Sequence, residues 1–205
     1  MLIIMPQDPI LREGIPELEM QRKYRLTYSY LKKFESHLRG RSGYKKYFKS
    51  RGPFYSIYNV NTSTFSPHKV VWRDMGSTMQ TAVVSASDLR GTIPEHHVMF
   101  ISTKTAEEAH FICGVLNSSP VRLTVAGYTT NTGMSTHVAS VIALPRFSAR
   151  TAVHRRISEL SQQCHAHANE HLALSLIERD LDDAVSEMFS ISETELGLIR
   201  AGLSR

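Results

Sequence analysis

The chain has 205 residues, of which 41% are hydrophobic and 21% charged, so it can bury a core and is not compositionally disordered. Its formal net charge is +5, and its two cysteines form no CxxC pair, which excludes a disulfide scaffold and a cysteine-rich zinc site. No apolar run approaches the ~20 residues of a membrane-spanning helix, and no signal peptide is recognisable. We therefore expect a cytoplasmic protein that does not contact a membrane.

The positive charge is concentrated near the start of the chain. Between Gln21 and Arg51 there are eleven basic residues and one acidic residue, Glu35, a local net charge of +10. Seven aromatic residues are interleaved with them. Cations neutralise phosphates and flat rings stack on bases or sugars, although a solvated helix face can carry the same charges. This pattern predicts a basic arm, residues 1–52, that contacts a polyanion.

The expected elements follow in chain order. Three prolines before residue 17 predict an extended lead-in, and apolar residues spaced by three or four predict a helix over residues 19–38. Alternating apolar residues predict strands at 54–60, 69–73, 81–84, 97–101, 121–126 and 138–144. A capping box at Thr105 and Glu108 predicts a helix that ends near Asn117.

After Pro145 the pattern is helical. A heptad-like apolar stripe from Val153 to Leu174 predicts one long helix, which we expect to act as a spacer or docking rod. The pattern then predicts a short amphipathic helix at 180–189. A capping box at Ser192 and Glu195 predicts the start of a terminal helix. The expected fold class is α+β: the basic arm, a body at 53–149 with a twisted sheet and flanking helices, and a helical tail at 150–205.

Several catalytic motifs are missing from the sequence. It contains no GxGxxG or GxxxxGK[ST] phosphate loop and no GxSxG nucleophile elbow. Its Asn-Ser-Ser-Pro string at 117–120 lacks the paired prolines and the aromatic residue of an amino-methyltransferase loop. We therefore expect no catalytic residue and no bound cofactor in this chain.

A short string at 167–171 matches the HxxEH pattern of inverted zinc peptidases. On one helix, His167 and His171 would share a face and could both bind one zinc ion. Both histidines also continue the apolar stripe, however, and this favours two helical histidines that are packed or lie at the surface. We therefore expect no metal site.

A polar loop from Gly127 to His137 separates two of the predicted strands. It concentrates threonine, serine and asparagine, whose side chains can hydrogen-bond to base edges or phosphates. An ordinary solvated loop can have the same composition, so the loop alone does not indicate nucleic-acid binding.

Taken together, several strings resemble one protein family. They are YSYLKKFE (28–35), LRGR (38–41), PFYSIYN (53–59), FSPHKVVWR (65–73) and AEEAHFICGVLNSSP (106–120). They resemble the C-terminal target-recognition region of N6-adenine DNA methyltransferases in type IIG restriction–modification and related phage-defence enzymes. The stretch from 106 through IALPRF (142–147) is also similar to the recognition domains of type I specificity subunits, and residues 181–195 resemble the helical ending of the same enzymes.

The resemblance implies a specificity module and not a whole enzyme. In that family an upstream domain transfers the methyl group from S-adenosylmethionine to an adenine flipped out of the duplex. This chain would grip and read the flanking base pairs. The implied partners are double-stranded DNA and an N6-adenine methyltransferase catalytic domain, on the same or a separate polypeptide.

The hypothesis assigns two groups of residues. The candidates for contact with the DNA backbone are Arg39, Arg41, Lys45, Lys46, Lys49, Arg51, Lys69 and Arg73. The candidates for reading bases are Asn59, Asn61, Tyr128, Thr129, Thr130, Asn131, Ser135, Thr136 and His137. The alternative is a protein-interaction module that assembles through its C-terminal helices, including a homodimer formed through the C-terminal helix.

Overall fold

The computed structural model describes residues 3–76, 78–86, 91–128 and 142–203, with the side chain of Tyr128 left aside. The chain divides into two compact units, which we call the N-terminal unit (Met1–Phe65) and the C-terminal unit (Ser66–Arg205). Helices and small antiparallel sheets occur together, so the fold class is α+β, as predicted. None of the helices in the described ranges is long and apolar enough to cross a membrane.

The N-terminal unit is a small helical cluster with one short hairpin. Strands β1 (Gln7–Asp8) and β2 (Glu13–Gly14) pair antiparallel. The helices are α1 (Glu17–Lys23), α2 (Arg25–Lys32), α3 (Glu35–Gly40) and α4 (Ser42–Tyr47), and a 3₁₀ turn covers Thr62–Phe65. The core is formed by Met20, Phe54 and Tyr55, with Ile15, Tyr28, Leu31 and Leu38 packed around them.

The helix predicted over residues 19–38 is interrupted twice. The backbone leaves helical geometry at Tyr24 (φ −127°, ψ 44°) and at Phe34 (φ −109°, ψ 12°). In one straight helix, Met20 and Leu38 would be separated by roughly 27 Å along the axis. The two breaks instead let these side chains surround the same aromatic core, a contact that local spacing cannot reveal.

The strand predicted at 54–60 is wrong, because this segment consists of turns. Alternation in a strand would place Phe54 and Tyr55 on opposite faces. Both are instead fully buried in one core, with their ring centroids 4.9 Å apart, and Asn59 adopts a left-handed φ of 61°.

The C-terminal unit begins with a three-stranded antiparallel sheet. Its strands are β3 (His68–Arg73), β4 (Ala82–Ser85) and β5 (Val98–Thr103), in the order β4-β3-β5. In the register, Val70 pairs with Val83 on one side and with Ile101 on the other. These three elements confirm the strands predicted at 69–73, 81–84 and 97–101.

Helix α5 (Ala106–Asn117) packs on this sheet. The Thr105 side chain accepts a hydrogen bond from the Glu108 amide at 3.2 Å, which confirms the predicted cap, and the helix ends at the predicted residue. Its apolar residues, including Phe111, Val115 and Leu116, are buried in the main core.

Four further helices lie in the described part of the unit. They are α6 (Ser119–Tyr128), α7 (Ala152–Ala166), α8 (His171–Phe189) and α9 (Glu193–Leu203). Helix α7 packs against α5 and α8, while α9 packs against α6. A single hydrophobic core contains residues of the sheet and of α5 to α8, so the predicted body and tail are joined in one unit. The N-terminal unit likewise extends beyond the predicted arm, to residue 65.

The strand predicted at 121–126 is wrong, because these residues lie inside α6. Val121 and Val125 are buried one helical turn apart, and Pro120 stands in the first turn, where proline is tolerated. Of the strand predicted at 138–144, residues 142–144 are not in a strand and the rest lie outside the described residues.

The long helix predicted from Val153 to Leu174 is two helices. Helix α7 ends at Ala166 and α8 begins at His171, so the two form a hairpin and pack on each other. The helix predicted at 180–189 is the second half of α8. Because Ile157 and Leu160 of α7 are buried in the core, α7 is not a free rod. The terminal helix is confirmed: the Ser192 hydroxyl accepts from the Glu195 amide, and the Glu195 carboxylate accepts from the Ser192 amide at 2.8 Å.

Candidate nucleic-acid interface

Helix α4 and the turn after it present four cations on the N-terminal unit. The aromatic rings of Tyr44 and Phe48, one helical turn apart, are buried and fix one face of the helix. The side chains on the remaining faces are therefore exposed. They include Lys45, Lys46, Lys49 and Arg51, which we call the α4 basic surface.

None of these four cations has an acidic partner in the part of the chain that the structure describes. Lys46 lies over the ring of Tyr47, with Nζ 5.2 Å from its centroid, and the Arg51 Nε donates to the Tyr47 carbonyl at 3.0 Å. Two other lysines of the same unit are paired, because Lys23 contacts Glu19 and Lys32 contacts Glu35, whereas Lys33 forms no ion pair among the described residues. The α4 basic surface is thus a local excess of positive charge that can attract an external anion.

A pair of stacked tyrosines lies beside the cations. The rings of Tyr47 and Tyr58 are 3.9 Å apart and inclined by 8°, and Tyr58 is 51% exposed. A hydrogen bond from the Tyr58 hydroxyl, helped by Lys46, lowers the pKa of Tyr47, and the same bond raises the pKa of Tyr58. An exposed flat ring next to lysines can pack against a sugar or a base. The sequence predicted Tyr58 to lie in a strand and did not identify it as a candidate for nucleic-acid contact.

Arg39 and Arg41 are engaged within the unit. The Arg39 Nε donates to Glu35 at 2.9 Å, and Nη1 donates to the Tyr44 hydroxyl at 2.7 Å. Arg41 donates to the carbonyls of Leu38, Phe54 and Ser56 at 2.9–3.1 Å. Burial lowers the pKa of Arg41. Arg41 therefore cross-links the backbone, and its guanidinium is a poor candidate for a phosphate contact.

The remaining backbone candidates lie in the C-terminal unit. Lys69, the second residue of β3, is only 1% exposed, and its Nζ donates to the Ser66 carbonyl at 2.6 Å. Burial lowers the pKa of Lys69. This placement removes Lys69 from any phosphate-binding surface, because the polar end of its side chain is directed at the backbone. Arg73 is exposed at the end of the same strand.

The base-reading candidates fall into two groups. Asn59 is exposed in a left-handed turn, whereas the Asn61 carboxamide oxygen accepts from the Ser63 amide at 2.9 Å and so shapes the local turn. Tyr128 is the last residue of α6. Thr129, Thr130, Asn131, Ser135, Thr136 and His137 lie outside the described residues.

The two histidines of the HxxEH string are not on one helix. His167 caps the C-terminus of α7, and His171 is the first residue of α8. The helical spacing that would bring them to one metal ion is therefore absent. Over the described ranges, no group of three or more histidine, cysteine or acidic side chains is arranged to hold a metal ion.

Comparison with protein-family models and with curated proteins finds no match for the chain.

Proposed function

We propose that this chain binds double-stranded DNA through the α4 basic surface and serves as the non-catalytic specificity part of an N6-adenine DNA methyltransferase. The observation that carries the DNA contact is the exposure of Lys45, Lys46, Lys49 and Arg51 without acidic partners among the described residues. Four neighbouring exposed cations can neutralise several phosphates of a nucleic-acid backbone.

The charge of the whole N-terminal unit supports the same proposal. It holds twelve basic and five acidic residues, a net charge of +7. The C-terminal unit holds twelve basic and fourteen acidic residues, a net charge of −2. Contacts of lysine with phosphate are independent of sequence, so this surface would supply affinity and orientation.

The specificity role rests on the sequence resemblance. Base reading is assigned to Asn59 and to the segment around 128–137, while a separate catalytic domain would bind S-adenosylmethionine and flip the adenine. In a restriction–modification or phage-defence system, this chain would then determine which sites are methylated.

The first experiment measures binding to a mixed-sequence duplex across a salt titration. The test protein carries Lys45→Gln, Lys46→Gln and Lys49→Gln. Each lost phosphate contact reduces the slope of log K against log salt by roughly 0.9, so we expect a reduction of about 2 to 3 and weaker binding to every sequence. Because the three lysines are exposed and glutamine is polar and uncharged, the fold should be retained.

The matched control removes the same number of charges elsewhere. Lys23→Gln, Lys32→Gln and Lys104→Gln replace two ion-paired lysines and one lysine of the C-terminal unit. We expect a clearly smaller loss of slope and affinity in this control. Equal losses in the two triple variants would mean that net charge alone matters, and unchanged binding in the first variant would refute the phosphate role.

A second candidate function is assembly through the C-terminal helices. Leu172 and Leu176 lie one turn apart on α8 and are 86% and 63% exposed, an apolar pair that a second copy could cover. Sedimentation of the chain with and without Leu172→Gln and Leu176→Gln tests this candidate. Loss of a dimer in the variant would support assembly, and a monomeric wild-type chain would refute it.

A further inference from the structure

Five helices of the C-terminal unit enclose a polar cavity that is separate from the α4 basic surface. Its volume is about 370 Å³, within the usual range of small-molecule sites. Its lining includes Asn117, Ser119, Arg122, Cys164, His165 and Arg179. We call it the helical cavity.

The guanidinium of Arg122 is the unexplained group in this cavity. Its Nε is buried and has no hydrogen-bond partner within the described residues. No ion pair of Arg122 is found there either. A buried N–H of a charged group is costly to leave unsatisfied, so the described chain does not fully satisfy this guanidinium.

The other polar groups of the cavity are largely engaged. Asp182 accepts from the Ser119 amide at 2.7 Å and from the Arg200 Nε at 3.0 Å. His165 accepts from the Val83 amide at Nε2 and donates from Nδ1 to the Ser161 carbonyl at 2.8 Å. These bonds fix the tautomer of His165 with its proton on Nδ1, because an amide can only donate and a carbonyl can only accept.

The remaining charges of the lining favour an anionic occupant. Glu178 and Arg179 are both exposed on α8, so solvent screens their charges. Asp182 is matched by Arg200. The lining carries three arginines against two acidic residues, and Arg122 forms no ion pair with an acid among the described residues. Its planar fork of donors fits a carboxylate or phosphate group in two parallel hydrogen bonds.

We propose that the helical cavity binds a small molecule through an oxyanion group, either a carboxylate or a phosphate, which is held by Arg122. The occupant fills a space of a few hundred cubic ångströms, and its oxyanion accepts hydrogen bonds from the guanidinium of Arg122, which lines the cavity. This site is independent of the proposed DNA contact, so the two proposals can fail separately.

The test follows thermal unfolding of the full chain through the fluorescence of Trp72, the single tryptophan, which is buried in the C-terminal unit. Sodium phosphate and sodium acetate are titrated in separate arms, each against sodium chloride at equal ionic strength and pH. We expect a saturable rise in the unfolding temperature in at least one arm, since a ligand that binds only the folded state stabilises it. The arm that responds identifies phosphate or carboxylate as the preferred group.

Arg122→Gln is the decisive variant, and Arg146→Gln is its control because Arg146 is exposed and does not line the cavity. We expect Arg122→Gln to raise the half-saturating concentration at least ~10-fold, as the loss of a charge-assisted hydrogen bond predicts. Arg146→Gln should respond as the wild type does. Phosphate also stabilises proteins by exclusion from their surfaces, but that effect does not saturate and does not depend on Arg122.

A second variant tests the cavity even if Arg122→Gln fails to fold. Ser175→Leu keeps Arg122 and fills part of the cavity from α8, so it should also abolish the saturable response. Equal responses of the wild type and of either cavity variant would overturn the proposal, as would the absence of a saturable response in both arms.

Discussion

Single residues of this protein show how burial decides the role of a charged side chain. Lys69 and Lys45 are both lysines, yet Lys69 is enclosed in β3 whereas Lys45 is exposed on α4. The buried ammonium of Lys69 loses its hydration and, among the described residues, donates one hydrogen bond, to the Ser66 carbonyl. Lys69 should therefore contribute differently from Lys45 both to the stability of the fold and to the proposed DNA binding.

We predict that Lys69→Met leaves DNA affinity unchanged. The free energy of unfolding should stay within ~1 kcal/mol of the wild type or increase, because an apolar side chain of similar length avoids the desolvation cost. Urea unfolding followed by Trp72 fluorescence and the duplex salt titration measure the two quantities. A loss of affinity comparable to that of Lys45→Gln would contradict the buried placement.

His110 predicts a pH dependence of stability. Burial, together with the nearby His165 and His68, lowers the pKa of His110 to about 4, from 6.5 in an unfolded chain, while Glu107 opposes the shift. Between these two values the unfolded chain binds a proton that the folded chain does not, so stability falls as the pH drops from 6.5 towards 4. With allowance for partial solvent screening, we expect a loss of ~1–2 kcal/mol from this group.

The test compares the wild type with His110→Gln by urea unfolding at several pH values. The variant should lose less stability over this window, because glutamine does not titrate. If the unfolding free energies of the two proteins changed in parallel with pH, His110 would not be the source of the pH dependence.

At the scale of elements, helices α5 and α7 approach each other closely at Gly114. A Cβ atom on Gly114 would lie 2.9 Å from the Ile157 Cγ2 and 3.1 Å from the Ile157 carbonyl oxygen. Glycine is therefore required there by packing, although it weakens a helix by ~1 kcal/mol relative to alanine. The crossing joins α7 to the helix that packs on the sheet and so holds the unit together.

We predict that Gly114→Ala lowers the free energy of unfolding by ~1–3 kcal/mol, since overpacking must displace Ile157 or the backbone. Gly197→Ala in α9 is the matched control, because a Cβ there would meet nothing within 4 Å. That control should raise stability by ~0.5–1 kcal/mol through helix propensity alone. Stabilisation of both variants would show that the α5–α7 contact can relax.

For the whole molecule, the positive charge is concentrated in the N-terminal unit, and the number of its cations that contact phosphates sets how strongly the proposed DNA binding depends on salt. Four cations on phosphates give a slope of log K against log salt of roughly −3.6. An acidic protein whose net negative charge is similar to that of the duplex should compete poorly with the duplex for the chain, because it lacks the regular spacing of phosphates. Efficient displacement of DNA by the acidic protein would favour the interaction-module alternative.

Features with local causes could be predicted from the sequence. The caps at Thr105 and Ser192 involve residues three apart, and both helices begin where predicted. Strands β3 to β5 follow from β-branched runs, and the +10 stretch locates the cationic surface within some thirty residues. These are properties of neighbouring residues, so they need no knowledge of the fold.

Only the tertiary structure decided the features that depend on distant contacts. Residues 121–126 read as a strand, but Val121 and Val125 find their partners on neighbouring helices and form one face of α6. Likewise, no local signal separates buried Lys69 from exposed Lys45, or brings Arg122 into a cavity with residues of α7 to α9. Sequence patterning thus determined the α+β class and the basic region, because both are sums over local composition. Packing over long range determined which charged side chains remain free to bind a ligand.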